Sequence, residues 1–195
     1  LLACGWKGIW VDGNQPYVQQ ANINFKHYIE TGKLEIINSF ITKDNINKLL
    51  SKAGKEVDLL SIDIDGNDFY IWEAIDNDKF SPRVVIIEYN GSIPPEIALV
   101  QPYIENFKWN GSNDSGASLK ALEILGKEKG YYLVGTGITG VNAFFVRKDL
   151  WSEKLFSVPP TAENLYNPAR YELLSAGAYK VGHRPAPSKF INIPK

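Results

Sequence analysis

The chain has 195 residues, 44% of them hydrophobic and 22% charged, enough for one domain with a full core and too few for two. Its 21 Lys and Arg against 22 Asp and Glu leave a net charge of −1, which gives no electrostatic case for a nucleic-acid or membrane partner. No apolar run reaches bilayer-spanning length, His27, His183 and Cys4 are too scattered for a zinc site, and a lone cysteine fits a reducing, cytoplasmic compartment.

Strand and helix periods alternate along the chain. Lys7 to Val11 reads as a short buried strand ending at Asp12-Gly13-Asn14. Pro16 to about Thr31 reads as a helix, with Pro16 in the first turn and Gly32 as its C-terminal cap. Leu34 to Phe40 is the next strand, and Asp44 or Asn45 caps a short helix carrying Ile46, Leu49 and Leu50, closed by Gly54. A strand over 58–63 and a helix from about Phe69 to Ile75 follow. The strand over 83–89 is launched by Ser81-Pro82. A proline-marked connection from Ile93 to Pro102 leads to a polar loop, Trp109 to Gly116. Ser118 to Lys129 is a strong helix with Leu119, Leu122 and Leu125 on one face. Tyr131 to Val134 and Asn142 to Val146 are joined by a Gly-rich turn (Gly135, Gly137, Gly140) short enough to require antiparallel pairing.

This order predicts a Rossmann-like, doubly wound α/β domain over residues 1–150, with a mostly parallel sheet and an antiparallel C-terminal hairpin. Residues 151–195 read as a covering segment. Right-handed crossovers bring all parallel strand exits to one rim, where ligands of such sheets bind. On that rim lie Asp12, Phe40, Asp63 and Glu88. Asp63, Asp65, Asn67 and Asp68 follow an apolar strand directly, and Glu88 and Asn90 end the next one. Carboxylates on a buried strand are costly unless something needs them. For Asn67 and Asp68 the plainer reading is an ordinary cap ahead of the next helix. A carboxylate beside a glycine, Asp12-Gly13, suits the paired hydroxyls of a ribose, and Phe40-Ile41 an apolar wall for a purine. The bland counterparts are a turn aspartate and a core aromatic.

The runs Gly5-Trp-Lys-Gly-Ile-Trp-Val-Asp-Gly13, Asp58-Leu-Leu-Ser-Ile-Asp-Ile-Asp-Gly-Asn-Asp68, Pro82-Arg-Val-Val-Ile-Ile-Glu-Tyr-Asn90, Gly116-Ala-Ser-Leu-Lys-Ala-Leu122 and Val141-Asn-Ala-Phe-Phe-Val-Arg-Lys148 resemble S-adenosylmethionine-dependent methyltransferases of the FkbM-like kind. The resemblance covers about residues 5 to 150. It implies the class I methyltransferase fold, with Asp12 and Gly13 at the cofactor ribose and Ser39, Phe40 and Ile41 beside adenine. Asp63 would then face the methionine part or the reaction centre. Related sugar and catechol-type enzymes hold a divalent metal at these strand ends, which makes Asp63, Glu88 and Asn90 candidate ligands for Mg²⁺. The chain departs from the catechol-type pattern in having Glu-Tyr-Asn where adjacent Asp-Asn is usual. The family's glycine-rich first strand and turn has no counterpart either. Because the sequence opens on Leu-Leu-Ala-Cys without a Met, that strand is expected upstream of Leu1.

For methyl transfer to a small-molecule acceptor, Asp65 is the preferred base and Glu88 the second choice. Asn90, Ser118 and Asn142 are candidates to orient a sugar or another small hydroxylated metabolite. The loop 109–116 and the tail with Tyr166, Tyr171 and Tyr179 read either as lids or as ordinary packing. The small basic cluster Lys180, His183, Arg184 and Lys189 reads as a solvated terminus. Two alternatives stand beside this reading. Asp63-Ile-Asp65-Gly66 also resembles the nucleophile motif of haloacid-dehalogenase-like phosphatases, and a catalytically silent methyltransferase-like binding module fits the missing glycine turn.

Overall fold

A computed structural model describes residues 1–170, 183 and 188–194. Tyr171, Tyr179, Lys180 and Arg184 lie outside the described residues. The described elements run β1 (Gly8–Asp12), α1 (Gln15–Asn24), α2 (Lys26–Glu30), β2 (Leu34–Asn38), α3 (Ile46–Leu50), β3 (Leu59–Ile62), α4 (Asp68–Ala74), β4 (Val84–Glu88), β5 (Leu99–Val100), α5 (Leu119–Glu128), β6 (Tyr131–Thr136), β7 (Asn142–Arg147), α6 (Ala162–Leu165) and β8 (Ile191–Asn192). This is an α/β protein with mixed sheets, and no helix among the described residues is long and apolar enough to cross a membrane.

The expected helix from Pro16 to Thr31 is two helices. Asn14 caps the first by accepting from Tyr17 N–H, and the break falls at Phe25. Leaving the helix there lets the Phe25 ring meet Trp10 edge-on, with centroids 4.7 Å apart, an arrangement aromatic pairs favour. Only Val18 of α1 is buried, so packing does little to hold one continuous helix. By contrast α5 buries Leu119, Leu122 and Leu125 along one stripe, and the Ser118 hydroxyl caps it by accepting from Ala121 N–H at 3.1 Å.

The continuous sheet expected from the strand pattern is divided. β1 pairs parallel with β2. A separate four-stranded sheet has the order β3-β4-β7-β6, in which β3 and β4 are parallel and β7 runs against both β4 and β6. The C-terminal hairpin is thus antiparallel, as its short Gly-rich link requires. Among the described residues β1 has no partner besides β2, and β3 none besides β4. The two free edges border one cavity of about 560 Å³, walled by Ile9 and Val11 from β1, Leu60 and Ile62 from β3, and Ile46 and Ile71 from the helices. Residues along both strands line this space, and the exits of the two strands share a second cavity. β5 and β8 form a small antiparallel ladder that the sequence pattern does not announce, each strand being two residues long.

The core sits beneath the four-stranded sheet. Val85, Ile87, Ala143 and Phe145 are fully buried on the central pair β4 and β7. Trp72 of α4 packs on Phe145 with centroids 4.8 Å apart, and Gly126 of α5 leaves room for both rings, since a Cβ there would lie 2.8 Å from Phe145. Glu123, also buried, fastens the covering segment. It receives Lys120 Nζ at 3.0 Å, Lys127 Nζ and the backbone N–H of Ala162 at 2.8 Å. Tyr89 Oη donates to Asn167 O at 2.6 Å and Tyr166 Oη to Gly91 O at 2.5 Å, which holds residues 166–170 against the strand ends.

Candidate functional site

The exits of β1 and β3 border one cavity of about 530 Å³, despite lying in different sheets. Asp12, Gly13, Phe40 and Ile41 form one side of it, and Asp63 and Asp65 belong to the other. Asp12 is shaped by an Asx turn in which Asn14 N–H donates to its Oδ1 at 2.6 Å. One hydrogen bond occupies a fraction of what a carboxylate can accept. Gly13 permits close approach, because a Cβ there would lie 3.0 Å from the Phe40 ring. Phe40 is 41% exposed and so offers a ring face rather than core packing. Ser39 does not line the cavity. Its N–H donates to Asp12 O at 3.1 Å and its hydroxyl to Phe40 O at 3.3 Å, so it joins the two strand exits and shows no contact with the space.

A second, smaller cavity of about 240 Å³ shares Asp65 and Trp109 with the first and adds Glu88, Asp68 and Asn90. Where the two meet, Asp63, Asp65 and Glu88 each place a carboxylate oxygen within 4.8 Å of the others. The turn that makes this convergence is held by Asp68. Its side chain, 1% exposed, accepts from Ile64 N–H at 3.0 Å and Gly66 N–H at 2.8 Å. Asp65 between them has φ 63°, the left-handed region that non-glycine residues enter at a cost. Gly66 is needed for room, since a Cβ would lie 2.7 Å from Phe107 Cδ1.

The cluster is electrostatically tense. Burial, with the charges of Asp68, Asp63 and Asp65, pushes Glu88 up to about 8. Burial also raises Asp68, to about 6, although its backbone N–H partners pull the other way. Partial burial and the neighbouring Asp65 charge raise Asp63. At neutral pH the Glu88 carboxyl is therefore mostly protonated and able to donate. A divalent cation would reverse that by supplying the counter-charge.

The structure separates several residues that looked alike in sequence. Asn67 and Asp68 do not cap α4 through their side chains: Asp68 grips the turn, and Asn67 donates to Ile104 O at 2.8 Å. Asn90 lines the smaller cavity, but its amide donates to Asn113 O at 2.7 Å and Ser115 O at 3.0 Å, and its carbonyl accepts from Ser92 N–H. It is a loop tie, and Asp65 takes its place beside Asp63 and Glu88 in the carboxylate cluster. Ser118 is corrected outright. It is fully buried as the α5 cap, also accepts from Leu99 N–H at 3.0 Å, and borders neither cavity. Asn142 stands opposite Glu88 in the β4–β7 register, on the same sheet face, without lining the cavity. Trp109, Tyr89 and His183 line it and were not singled out as site residues. A large aromatic inside an otherwise polar loop was the one available signal for Trp109.

No protein-family model, no curated protein and no solved structure matches the chain.

Proposed function

We propose that the protein is an S-adenosylmethionine-dependent methyltransferase acting on a hydroxyl of a sugar or another small hydroxylated metabolite. The observation that carries the reading is the meeting of two cavities at Asp63, Asp65 and Glu88. The larger one has a carboxylate beside a glycine (Asp12-Gly13) and an exposed aromatic wall (Phe40), and the smaller one lies on the far side of the carboxylates. Ribose and adenine fit the first wall, with the reactive sulfonium directed at the carboxylates and the acceptor in the second cavity. The Rossmann-like class I fold belongs to the same proposal. In support of it, β1 and β3 each leave an edge unpaired among the described residues, both border one cavity, and their exits share another, and the proposal assigns the space between them to one further strand. The glycine-rich strand of the family occupies that position in the sheet.

In the reaction the acceptor oxygen attacks the methyl carbon in line with the leaving sulfur. The carbon–sulfur bond breaks, its electron pair passes to sulfur, and S-adenosylhomocysteine leaves as a neutral thioether. The hydroxyl proton goes to the Asp65 carboxylate. Glu88, neutral until the pH nears 8, donates a hydrogen bond that fixes the acceptor. The carboxylates of Asp63, Asp65 and Glu88 also suit Mg²⁺, a hard cation that prefers oxygen ligands, and bound there it would acidify the acceptor hydroxyl.

Calorimetric titration with S-adenosylhomocysteine tests the proposal. Binding is expected, and Asp12→Ala should weaken it about tenfold or more, corresponding to ~1.4 kcal/mol. Absence of heat would favour the silent module. Hydrolysis of an aryl phosphate that is lost in Asp63→Asn would instead establish the phosphatase reading.

A further inference from the structure

The smaller cavity has a wall that the transfer chemistry leaves unused. Trp109 borders both cavities and is 40% exposed. Its position is fixed: the indole N–H donates to Ser112 O at 2.8 Å, and the Asn90 amide ties the same loop to the exit of β4 through Asn113 O and Ser115 O. The His183 ring meets the indole at 65° with centroids 4.7 Å apart and lines the same space. Of the other polar side chains on the lining, Asn90, Ser115 and Tyr89 are neutral and Asp65, Asp68 and Glu88 are acidic, and among the described residues no Lys or Arg lines the cavity. About 240 Å³ is room for one ring rather than a chain of them.

A ligand for this space needs an apolar face on one side and hydroxyl donors on the other. The negative face of an indole attracts polarised C–H bonds, and carboxylates accept hydroxyl hydrogens. A phosphate or carboxylate on the ligand would be brought beside the Asp65 and Asp68 carboxylates with no Lys or Arg among the described lining residues to offset them, which disfavours it. We propose that the acceptor is a single uncharged sugar ring, stacked on Trp109, with the hydroxyl to be methylated directed at Asp65 and Glu88. This rests on the methyltransferase reading for the fate of that hydroxyl, while the binding of the ring stands on the cavity alone.

Saturation-transfer NMR with methyl glucoside, methyl mannoside, glucose 1-phosphate and glucuronate, run with and without S-adenosylhomocysteine, tests it. At least one methyl glycoside should receive saturation on its ring C–H groups while both anionic sugars receive none. Trp109→Phe should retain the signal and Trp109→Ala should lower affinity about tenfold or more, with the fold of each variant checked by thermal unfolding. Silence from both glycosides, equal or stronger signals from the anionic sugars, or unchanged affinity in Trp109→Ala would overturn the proposal. Glycoside binding without any S-adenosylhomocysteine heat would leave the sugar site standing and overturn the methyltransferase reading.

Discussion

Glu88 is where local chemistry is most sharply set. Its carboxyl rises from an ordinary value of 4.5 to about 8 because burial and three neighbouring acids disfavour its charge. A carboxyl raised on folding binds its proton more tightly in the native state. The resulting stability is fully present below about pH 4.5 and is lost as pH climbs toward 8. Metal-free Glu88→Gln should therefore gain in urea midpoint over the parent at pH 8.5 and gain much less at pH 4.5. Equal shifts at both pH values would show that Glu88 is not strained. At pH 7.5, Mg²⁺ binding at the cluster should release a fraction of a proton or more, measurable in buffers of different ionisation enthalpy, and should do so less in Glu88→Gln. Asp68 belongs to the same turn with a different task. Asp68→Ala strands the N–H groups of Ile64 and Gly66 and should cost about 1–3 kcal/mol in chemical unfolding. A neutral result would mean that the turn stands without its grip.

At the scale of elements, α5 holds the covering segment through the buried Glu123, which accepts from Ala162 N–H, and through Lys120, which pairs with Glu163. Glu123→Ala leaves Lys120 without one of its partners and Ala162 N–H without its acceptor. A loss of about 3 kcal/mol is expected, read by thermal or urea unfolding, and a loss near zero would mean the segment is held elsewhere. What the sequence made legible here follows from periodicity. β1, β3 and β4 were visible because apolar runs stop abruptly at Asp12, Asp63 and Glu88, and α5 because Leu119, Leu122 and Leu125 recur at helical spacing. Strand pairing is a different matter, since apolar alternation names no partner. The separation of β1-β2 from β3-β4-β7-β6 therefore left no trace in the pattern. The two-residue ladder β5–β8 is too short to carry a period, and the break at Phe25 depends on a ring contact with Trp10 across the fold.

At the scale of the whole molecule, the carboxylates were readable one by one and their company was not. Asp63 and Glu88 stood out as acids ending apolar strands. That Asp65 joins them depends on a left-handed backbone held by Asp68 and cleared by Gly66, a tertiary arrangement that no spacing rule encodes. Asn90 and Ser118 misled for the complementary reason, because polar residues at strand exits and helix starts are as often structural ties as ligand contacts. The molecule as a whole brings two strand exits from separate sheets to one cavity and sets a second cavity beside it, with Asp65 bordering both. A crystal structure of the protein with S-adenosylhomocysteine tests that claim most directly. The ribose hydroxyls are expected within hydrogen-bonding distance of Asp12, the adenine against Phe40, and the sulfur facing Asp63 and Asp65. Ligand density away from the β1 and β3 exits, or in the larger cavity with the sulfur turned from the carboxylates, would contradict the account.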